Sequence, residues 1–531
     1  MALVYCLVLV SYQLLNTIQN FIRDIINKKA EHLYEIRMAQ KLSKLPLSFL
    51  DSATGKDIVQ DVRYTESTAI YIIFNVVEIV AHIYSLLVSF YTLVNFSLIF
   101  SILFLFVTIP SVICNEYISK KTEELRTKRA PDERRFSYYR WMLTSSTTAK
   151  DIRMYDLTNP IKGRYLEEKQ KYVDENKKLD KNKLLLTIMS ELLRRCGEIL
   201  FIIYVVISAV NNTIAIGDIS LFIGLAIGVS VSFENVMWSF VDAYYRITTR
   251  MQQMFEFFDI RTEETEKEYR ELNCFESIKF DNVYFKYPYT DKYVLSGISF
   301  EINKGDKVSI VGINGSGKST IVKLMLGLYT IESGEIKINN YPIADYRIED
   351  VRKLFSVVFQ NYVHYPLTLG ENIAMSNIEE KSDISRINNA IACAGFYDEI
   401  KNKMNVSIDT YMTRQFSDDG IELSKGQWQK IALARAYFKG SDVYIFDEPS
   451  SALDAEAEDL VFKNYHALSL EKTSIMISHR ISASRFSNKI IVISEGKMIE
   501  CGTHEYLVSI GGLYSHLYSL QMKKYCEGSA K

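Results

Sequence analysis

Apolar residues are distributed unevenly along the chain, in long runs before about residue 245 and in short runs after it. Residues 2–22 are mostly apolar and contain no lysine or arginine, and residues 64–119 also contain neither. Apolar stretches of ~20 residues are typical of helices that cross a bilayer. From residue 278 onward, short runs rich in valine and isoleucine alternate with helical patterns. This change predicts a membrane domain followed by a soluble α/β domain with a largely parallel sheet.

The long apolar runs predict about five membrane helices, in residues 2–22, 68–89, 93–114, 198–209 and 219–240. The first run lacks the basic leader and the small-residue cleavage site of a signal peptide, so a membrane helix explains it better. Lysines and arginines follow this run, which places its second end in the cytoplasm and residue 1 outside the cell.

A polar segment separates the third predicted membrane helix from the fourth. Residues 120–183 have a helical pattern and carry more lysine and arginine than aspartate and glutamate. Such a segment belongs in the cytoplasm, and it is too long and too regular for a simple loop. We therefore expect two membrane helices that extend well past the bilayer and are joined by a turn within residues 145–157.

Several ionisable residues fall within the predicted membrane helices, namely Glu78, His82, Arg194, Arg195, Glu198 and Glu234. Removing such groups from water costs at least ~2.5 kcal/mol each, so they mark candidate functional sites. For Arg194 and Arg195, a place on the cytoplasmic extension of their helix is favoured. Glu78 and His82 lie one turn apart on one helix face, where they either line a water-filled cavity or contact a substrate.

Composition excludes some classes of partner and divides the chain. The net charge of −2 leaves no basic excess to hold a phosphate backbone, so we expect no nucleic acid partner. The cysteines are spaced singly, which predicts reduced thiols without a disulfide framework or a zinc site.

Residues 261–272 are charged and have no apolar face, as is typical of a linker. We therefore predict a membrane domain at 1–258, a linker at 259–274 and a soluble domain at 275–525.

A glycine-rich loop joins a predicted strand to a predicted helix in the soluble domain. Its sequence is Gly312-Ile313-Asn314-Gly315-Ser316-Gly317-Lys318-Ser319-Thr320. Glycines let backbone N–H groups turn toward phosphates, and the following helix directs its N-terminal dipole at the same anion. The loop is thus interpreted as a P-loop, in which Lys318 reaches the β- and γ-phosphates of ATP and Ser319 ligates Mg²⁺. A glycine turn that merely precedes a lysine is the alternative.

A second apolar strand ends in two carboxylates. Residues 443–446 are apolar and precede Asp447 and Glu448. A strand buried on both faces would deliver Asp447 to Mg²⁺ and place Glu448 where it can polarise an attacking water. The alternative is a buried strand capped by two solvated acids.

The sequence Leu423-Ser424-Lys425-Gly426-Gln427 precedes a helical run and indicates a second anion-binding helix start. With the P-loop and the carboxylate strand, it resembles the ATP-binding cassette (ABC) domain, where this signature lies opposite the P-loop of a partner domain. The resemblance implies that Ser424, Gly426 and Gln427 bind ATP across a dimer interface. Lys425 stands where the family usually has glycine, so its side chain must point away from the phosphate.

The resemblance also assigns roles to residues outside these three motifs. Tyr287 resembles the aromatic residue that stacks on adenine, and Gln360 resembles the glutamine that touches Mg²⁺ or water. Asp454 matches the loop residue that crosses the dimer interface, and His479 matches the switch histidine that holds the γ-phosphate. The implied ATP-binding residues are Tyr287, Gly312, Asn314, Gly315, Ser316, Gly317, Lys318, Ser319, Thr320, Ser424, Gly426, Gln427 and Asp454. The implied catalytic residues are Glu448, His479, Gln360 and Lys318, and the implied metal ligands are Ser319, Gln360 and Asp447.

The first half of the chain resembles the exporter-type half-transporter, in which membrane helices are fused ahead of one cassette. Short coupling helices join the two parts in that family, and residues 45–51 and 148–153 are similar to them. The family has six membrane helices with both ends in the cytoplasm, whereas the pattern here predicts five. We expect that the family's first helix is missing from this chain.

The resemblance implies an all-α polytopic membrane domain followed by an α/β P-loop NTPase domain, the ABC nucleotide-binding domain. It implies an ATPase in which two such domains hydrolyse ATP at their interface and drive export by alternating access. The implied cofactors are ATP and Mg²⁺. The implied partners are a second half-transporter in a homodimer or heterodimer, membrane lipid, and an exported substrate whose identity stays open.

Two other functions are compatible with the same sequence. The first is import by a transporter of the same fold, and the second is an ATP-switched regulatory membrane module without flux. The lysine-, isoleucine- and tyrosine-rich composition favours a bacterial plasma membrane, with several membrane crossings and the nucleotide-binding domain in the cytoplasm.

Overall fold

The computed structural model describes residues 2–211, 213–263, 268–404, 406–448, 472–478 and 484–528. The chain forms two compact units. The helical unit comprises Met1–Leu42 and Asp57–Ile260, and the α/β unit comprises Ser43–Lys56 and Arg261–Lys531. The short segment Ser43–Lys56 therefore belongs to the α/β unit, although it interrupts the helical unit in sequence. The predicted domain boundaries at 258 and 275 stay a prediction.

The first half of the chain is built from long helices. They are α1 (Ala2–Lys44), α2 (Leu47–Asp51), α3 (Ala53–Phe96), α4 (Leu98–Thr144), α5 (Ala149–Met154), α6 (Thr158–Val210), α7 (Asp218–Arg246) and α8 (Gln252–Asp259). At 1.5 Å per residue, the 47 residues of α4 extend roughly 70 Å, more than twice the ~30 Å of a bilayer core. The long helices predicted on either side of the turn at 145–157 are confirmed.

Among the described residues, three helix segments are long and apolar enough to cross a membrane, namely Phe74–Phe96, Leu98–Leu125 and Asp218–Tyr245. The first two meet at Ser97, several residues later than the turn predicted between 89 and 93. Helix α3 continues to Phe96 because the ring of Phe96 packs against Phe222 of α7, with ring centroids 3.9 Å apart. The spans predicted at the start of α1 and the end of α6 stay predictions.

The core of the helical unit lies where α4 packs against α6 and α7. Its buried side chains are Leu93, Phe104, Phe201, Val205, Ala226 and Val229. The aromatic members meet edge to face, and the rings of Phe104 and Phe201 have centroids 5.2 Å apart. This geometry adds about 0.5–1.5 kcal/mol to the burial of each such pair.

The second half of the chain alternates short strands and helices. The strands are β1 (Ser277–Phe285), β2 (Leu295–Asn303), β3 (Lys307–Gly312), β4 (Ser333–Ile338), β5 (Tyr341–Pro342), β6 (Phe355–Val358), β7 (Val443–Asp447), β8 (Thr473–Ile477), β9 (Lys489–Ser494) and β10 (Lys497–Gly502). The helices are α9 (Lys318–Met325), α10 (Ile348–Lys353), α11 (Leu369–Ala374), α12 (Ile384–Cys393), α13 (Lys425–Lys439), α14 (His504–Ile510) and α15 (Leu513–Gly528).

Two sheets organise the α/β unit in the described part of the chain. One is antiparallel with the order β2-β1-β4-β5, and the other has the order β10-β9-β3-β8-β7-β6. In the second sheet the strands from β9 to β6 run parallel, and β10 pairs antiparallel with β9. The parallel strands are buried on both faces, which explains their continuous apolar sequences. The predicted parallel α/β architecture is confirmed.

The strand register places three loops side by side. Ile310 of β3 pairs with Ile477 of β8, which pairs in turn with Asp447 of β7. Phe446 of β7 pairs with Val358 at the end of β6. The carboxyl ends of β3, β7 and β6 therefore meet at one edge of the sheet, which is where ligands bind in open α/β sheets.

The central strand gives a test of this core. Replacing the fully buried Ile310 by Ala is expected to destabilise the α/β unit by about 2–5 kcal/mol, because the cavity cannot collapse between packed strands. Ile499 in β10 is 48% exposed, so Ile499→Ala should change stability by only ~0.5 kcal/mol. Amide hydrogen exchange of β3 in the full chain measures the stability change in each variant. Equal exchange in the two variants would contradict the central place of β3.

Candidate nucleotide-binding and hydrolysis site

The P-loop turns sharply between β3 and α9, at positions where only glycine fits. A Cβ on Gly312 would lie 2.1 Å from the carbonyl oxygen of Ile493 in β9. Gly317 has a φ of +105°, and a Cβ there would lie 2.6 Å from Cδ2 of Leu295. Any side chain at either position would displace its neighbours. The glycine spacing seen in the sequence is therefore a requirement of this turn.

Lys318 is buried within the loop that precedes it. Its Nζ donates hydrogen bonds to the carbonyl oxygens of Gly312 at 2.9 Å and Ile313 at 3.0 Å. Burial lowers the pKa of Lys318, and the nearby charges of Glu448 and Asp447 oppose that shift. The ammonium group thus lies at the mouth of the P-loop, poised to exchange its carbonyl partners for phosphate oxygens.

Ser319 and Asp447 meet although the sequence separates them by 128 residues. The Ser319 hydroxyl donates to Oδ1 of Asp447 at 3.2 Å, and Asp447 is only 5% exposed. This contact follows from the strand register, since Ser319 lies in the first turn of α9, which follows β3, and Asp447 ends β7. Two of the three residues predicted to ligate Mg²⁺, Ser319 and Asp447, therefore lie within hydrogen-bonding distance of each other.

The chemistry of these residues fits ATP and Mg²⁺. A hydroxyl and a carboxylate are oxygen ligands of the kind that Mg²⁺ prefers. The Oγ of buried Ser316 has no hydrogen-bond partner among the described residues. Since buried polar atoms are nearly always satisfied, a phosphate oxygen held by the P-loop would supply the missing partner.

Glu448 follows Asp447 and meets Gln360. The Nε2 of Gln360 donates to Oε2 of Glu448 at 2.7 Å. Glu448 has a φ of +55°, which costs a residue other than glycine about 1–3 kcal/mol. Its backbone N–H donates to the carbonyl oxygen of Ile477 at 2.9 Å, which holds the carboxylate just beyond the sheet edge. Such strain is typical of functional positions, and it aims Glu448 toward the P-loop side of the sheet.

Tyr287 is joined to the start of α9. Its hydroxyl lies 3.1 Å from the hydroxyl of Thr320, and Nζ of Lys323 donates to it at 3.3 Å. The ring packs edge to face against Phe285, with centroids 5.1 Å apart. Two residues predicted to bind ATP, Tyr287 and Thr320, are thus in contact. The stacking of adenine on Tyr287 stays a prediction.

The signature sequence forms the N-terminus of α13. Ser424 and Gln427 make a capping box, in which Oε1 of Gln427 accepts from the Ser424 N–H at 2.8 Å and Oγ of Ser424 accepts from the Gln427 N–H at 3.3 Å. Nε2 of Gln427 donates to Glu399 at 2.7 Å. The side chain of Lys425 is exposed. Gly426 lies within the first turn, where the N–H groups of the helix point at an incoming anion.

Two predicted site residues lie outside the described part of the chain. They are Asp454, assigned to the dimer interface, and His479, assigned to the γ-phosphate. His479 comes two residues after Ile477, whose strand ends at the same sheet edge as the P-loop strand. The roles of both residues stay predictions.

Sequence reasoning overlooked Arg435 in α13. Its guanidinium donates to the carbonyl oxygens of Val363 at 2.9 Å and Asn372 at 2.8 Å, and to Oδ1 of Asn372 at 2.6 Å. Burial lowers the pKa of Arg435 to about 10. Val363 follows Gln360 by three positions, so Arg435 holds the loop that carries the glutamine. An arginine among the apolar residues of α13 was the available signal.

Several of the ionisable residues predicted in membrane helices form ion pairs in the described part of the helical unit. Arg194 donates to Glu191 at 2.5 Å and to Glu198 at 3.0 Å, all within α6. Glu78 of α3 forms an ion pair with Arg23 of α1. Internal pairing of this kind lowers the cost of placing charge in an apolar environment. Whether Glu78 and His82 line a cavity or contact a substrate stays open.

One further contact joins α4 to α7. The hydroxyl of Ser111 donates to Oε1 of Glu234 at 2.6 Å. Glu234 is one of the ionisable residues in the predicted membrane helices, and Ser111 on the neighbouring helix is its hydrogen-bond partner. Such polar contacts typically contribute ~0.6 kcal/mol to helix association in membranes.

The chain is similar in sequence to several known proteins. A family model described as ABC transporter matches residues 295–451. The subtilin transport ATP-binding protein SpaT of Bacillus subtilis is 30% identical over 507 residues, which cover 95% of this chain and 82% of that protein. The nisin transport ATP-binding protein NisT of Lactococcus lactis subsp. lactis is 29% identical, with 97% of this chain and 86% of that protein covered. An ATP-dependent lipid A-core flippase of Haemophilus ducreyi is 36% identical over 276 residues, or 51% of this chain and 46% of that protein.

The fold is also similar to that of a solved structure. A bacterial Atm1-family ABC exporter with ATP bound matches with a TM-score of 0.79 and 24% identity. The match covers 96% of this chain and 88% of the other. At this identity the likeness shows the fold alone. Because it extends over both halves of the chain, the predicted all-α membrane domain followed by an α/β ATPase domain is confirmed.

The lowered pKa of Lys318 leads to a pH dependence of nucleotide affinity. In the free protein the pKa of the Lys318 ammonium group lies below its ordinary value of 10.5. Bound phosphates stabilise the charged form and raise this pKa, so the bound protein keeps the proton at alkaline pH values where the free protein loses it. Binding therefore takes up a proton in that alkaline window, and affinity for ATP should fall as pH rises through it. Titration of a fluorescent ATP analogue against pH measures the slope. Lys318→Arg, which stays charged, should bind with a flat profile, and an equally steep profile would contradict the assignment.

Proposed function

The chain belongs to the ABC transporter family, as an exporter with its membrane and ATPase domains in one polypeptide, and we propose that it works in a dimer by alternating access. Two α/β units close on two ATP molecules, and their closure opens the membrane domain outward. Hydrolysis and release of the products reset the transporter. The observation that carries this proposal is the convergence of Lys318, Ser319, Asp447 and Glu448 at one edge of a parallel sheet.

Each residue at this edge has a separate task in hydrolysis. Glu448 polarises a water toward the γ-phosphate. Gln360 donates a hydrogen bond to the Glu448 carboxylate and thereby orients that carboxylate. Lys318 stabilises the charge that develops on the phosphate oxygens, together with His479. Ser319, Asp447 and Gln360 would hold Mg²⁺, which would supply further positive charge to the phosphates.

The resemblance to the cassette family supports a dimer, because in that family the signature of one domain lies opposite the P-loop of its partner. Here the P-loop precedes α9 and the signature with Ser424 and Gly426 begins α13, so each copy would offer one half of two sites. Under twofold symmetry two copies bury two ATP molecules between them. A homodimer is self-sufficient, because this chain carries both Glu448 and the signature. In a heterodimer it would complement a partner with a degenerate site.

The protein is proposed to reside in the bacterial cell membrane, which its membrane-type helices and its bacterial relatives support. The segments in α3, α4 and α7 are long and apolar enough to cross the bilayer, where their exposed side chains would contact lipid. The basic segment between residues 120 and 183 supports a cytoplasmic location for the α/β unit, where ATP is available.

The relatives also suggest which substrates to test first. SpaT and NisT, named for the transport of subtilin and nisin, match over 95% and 97% of this chain. The lipid A-core flippase matches over about half of it. A product of the subtilin or nisin type is therefore the first substrate to test, and lipid A-core is the second. Inside-out vesicles that accumulate either substrate with ATP would show its export, and hydrolysis without flux would support a regulatory module instead.

Removing the charge of Glu448 gives the decisive test of hydrolysis. Glu448→Gln keeps the shape of the side chain but cannot act as a base, so kcat should fall by about 10²–10⁴-fold. ATP should still bind, because the P-loop is unchanged. ATPase activity of the purified chain in lipid nanodiscs measures kcat, and equilibrium binding of an ATP analogue measures affinity.

A matched variant checks this result. Glu349 is exposed in the first turn of α10, so Glu349→Gln makes the same chemical change away from the sheet edge and should leave kcat unaltered. Activity that persists undiminished in Glu448→Gln would overturn the assignment of the base.

A further inference from the structure

A hydrogen bond joins helix α2 to the aromatic residues beside the P-loop helix. The hydroxyl of Tyr329 donates to Oδ2 of Asp51, the last residue of α2. Both residues belong to the α/β unit, although 278 positions separate them in sequence. Burial, and then the bond to Asp51, raise the pKa of Tyr329 above its ordinary value, so the hydroxyl remains a donor. No motif in the sequence pointed to this pair.

Tyr329 is packed directly against Tyr287. Their rings meet at 89° with centroids 5.3 Å apart, which is edge-to-face geometry. Phe285 completes the cluster, with its centroid 5.1 Å from that of Tyr287 and 5.7 Å from that of Tyr329. Each ring is thus held by the other two, and a rotation of Tyr287 must displace Tyr329.

Lys323 of α9 reinforces the pair. Its Nζ lies 5.2 Å from the ring centroid of Tyr287 and 5.7 Å from that of Tyr329. The same nitrogen donates to the Tyr287 hydroxyl at 3.3 Å. A cation within about 6 Å of a ring face is attracted to it, so Lys323 draws both rings toward the P-loop helix.

The segment that carries Asp51 is rigid. Leu45, just before α2, is buried. Ser52 donates to the carbonyl oxygen of Phe49 at 2.7 Å and accepts from the N–H of Gly55 at 2.7 Å. A Cβ on Gly55 would lie 2.0 Å from the carbonyl oxygen of Phe49, so only glycine permits this turn. Displacing Asp51 therefore moves α2 together with the start of α3.

We propose that Tyr329 is a positioning residue that holds Tyr287 for adenine and transmits adenine binding to α2 through Asp51. Helix α3 begins at Ala53 and continues into the helical unit, so a shift of α2 acts on the first turn of a helix with a membrane span. The inference rests on the proposed function, because it takes adenine to bind at Tyr287.

Linkage makes the proposal testable from both ends. If adenine at Tyr287 changes the state of α2, then a substitution at Asp51 that disturbs α2 must also alter the affinity for ATP. The signal passes through the base, so a ligand with phosphates but no base must not produce it. A purely structural bond between Tyr329 and Asp51 would show neither property.

Amide hydrogen exchange of residues 45–56 in the full chain, in lipid nanodiscs, provides the readout. In the unmodified chain the β,γ-imido analogue of ATP should change exchange in this segment by roughly fivefold or more. Saturating tripolyphosphate, with occupancy checked by displacement of a labelled ATP analogue, should leave the segment unchanged. Tyr329→Phe keeps the ring and removes the hydroxyl, so the response to the ATP analogue should be lost.

Binding constants give the second measurement. Tyr329→Phe and Asp51→Ala should each weaken binding of the ATP analogue by roughly threefold to tenfold without weakening binding of tripolyphosphate. The double variant should be no weaker than either single one, because both changes remove the same interaction. Tyr289→Phe is the matched control, since Tyr289 is 79% exposed and its hydroxyl loss should change nothing.

Each outcome bears on the proposal. It is overturned if tripolyphosphate changes exchange in residues 45–56 as much as the ATP analogue does, or if Tyr329→Phe responds like Tyr289→Phe. Additive effects of Tyr329→Phe and Asp51→Ala on affinity would also overturn it. A chain that neither binds nor hydrolyses ATP before any substitution would instead refute the proposed function, so the two failures can be told apart.

Discussion

The candidate site depends on the parallel pairing of β3, β8, β7 and β6. Parallel strands end at the same edge of a sheet, and the register sets Ile310, Ile477 and Asp447 in one row across it. The P-loop, the carboxylate pair and the glutamine loop all begin within a few residues of that row. A shift of β7 by one residue would turn Asp447 to the other face and separate it from Ser319. The apolar strands are therefore as necessary to the chemistry as the charged residues that follow them.

Buried charge is the second constraint, and it shapes both units. Lys318 and Arg435 are removed from water, and each compensates by donating to backbone carbonyl oxygens. In the helical unit Arg194 is buried and satisfied by acidic residues one turn away on α6. A buried charge with fixed partners holds its surroundings in one arrangement, because moving it away would leave a costly unpaired group. Lys318 differs in one respect, since phosphate oxygens can replace its carbonyl partners.

Much of the site was predictable because its parts are local in sequence. The turn at Gly312 and Gly317 needs glycine for reasons that lie within a few residues, so the motif could be recognised without the fold. The break between α3 and α4 was placed too early, because Phe96 extends α3 by packing on a residue of α7. Arg435 and Tyr329 were overlooked for the same reason. The hydrogen-bond partners of Arg435 and Tyr329 lie 63 to 278 residues away, and no spacing rule connects them.

The sequence by itself determined the order of apolar runs, the helical and parallel-strand segments, the glycine turn and the chemical types at the nucleotide site. These depend on periodicity, residue conformation and functional groups, which are properties of short segments. Only the tertiary structure decided which segments meet. It brought Ser319 to Asp447 and Gln360 to Glu448, assigned Ser43–Lys56 to the α/β unit, and set Tyr329 between Tyr287 and Asp51. Such contacts follow from the packing of whole strands and helices, in which the burial of many side chains outweighs the preference of any single one.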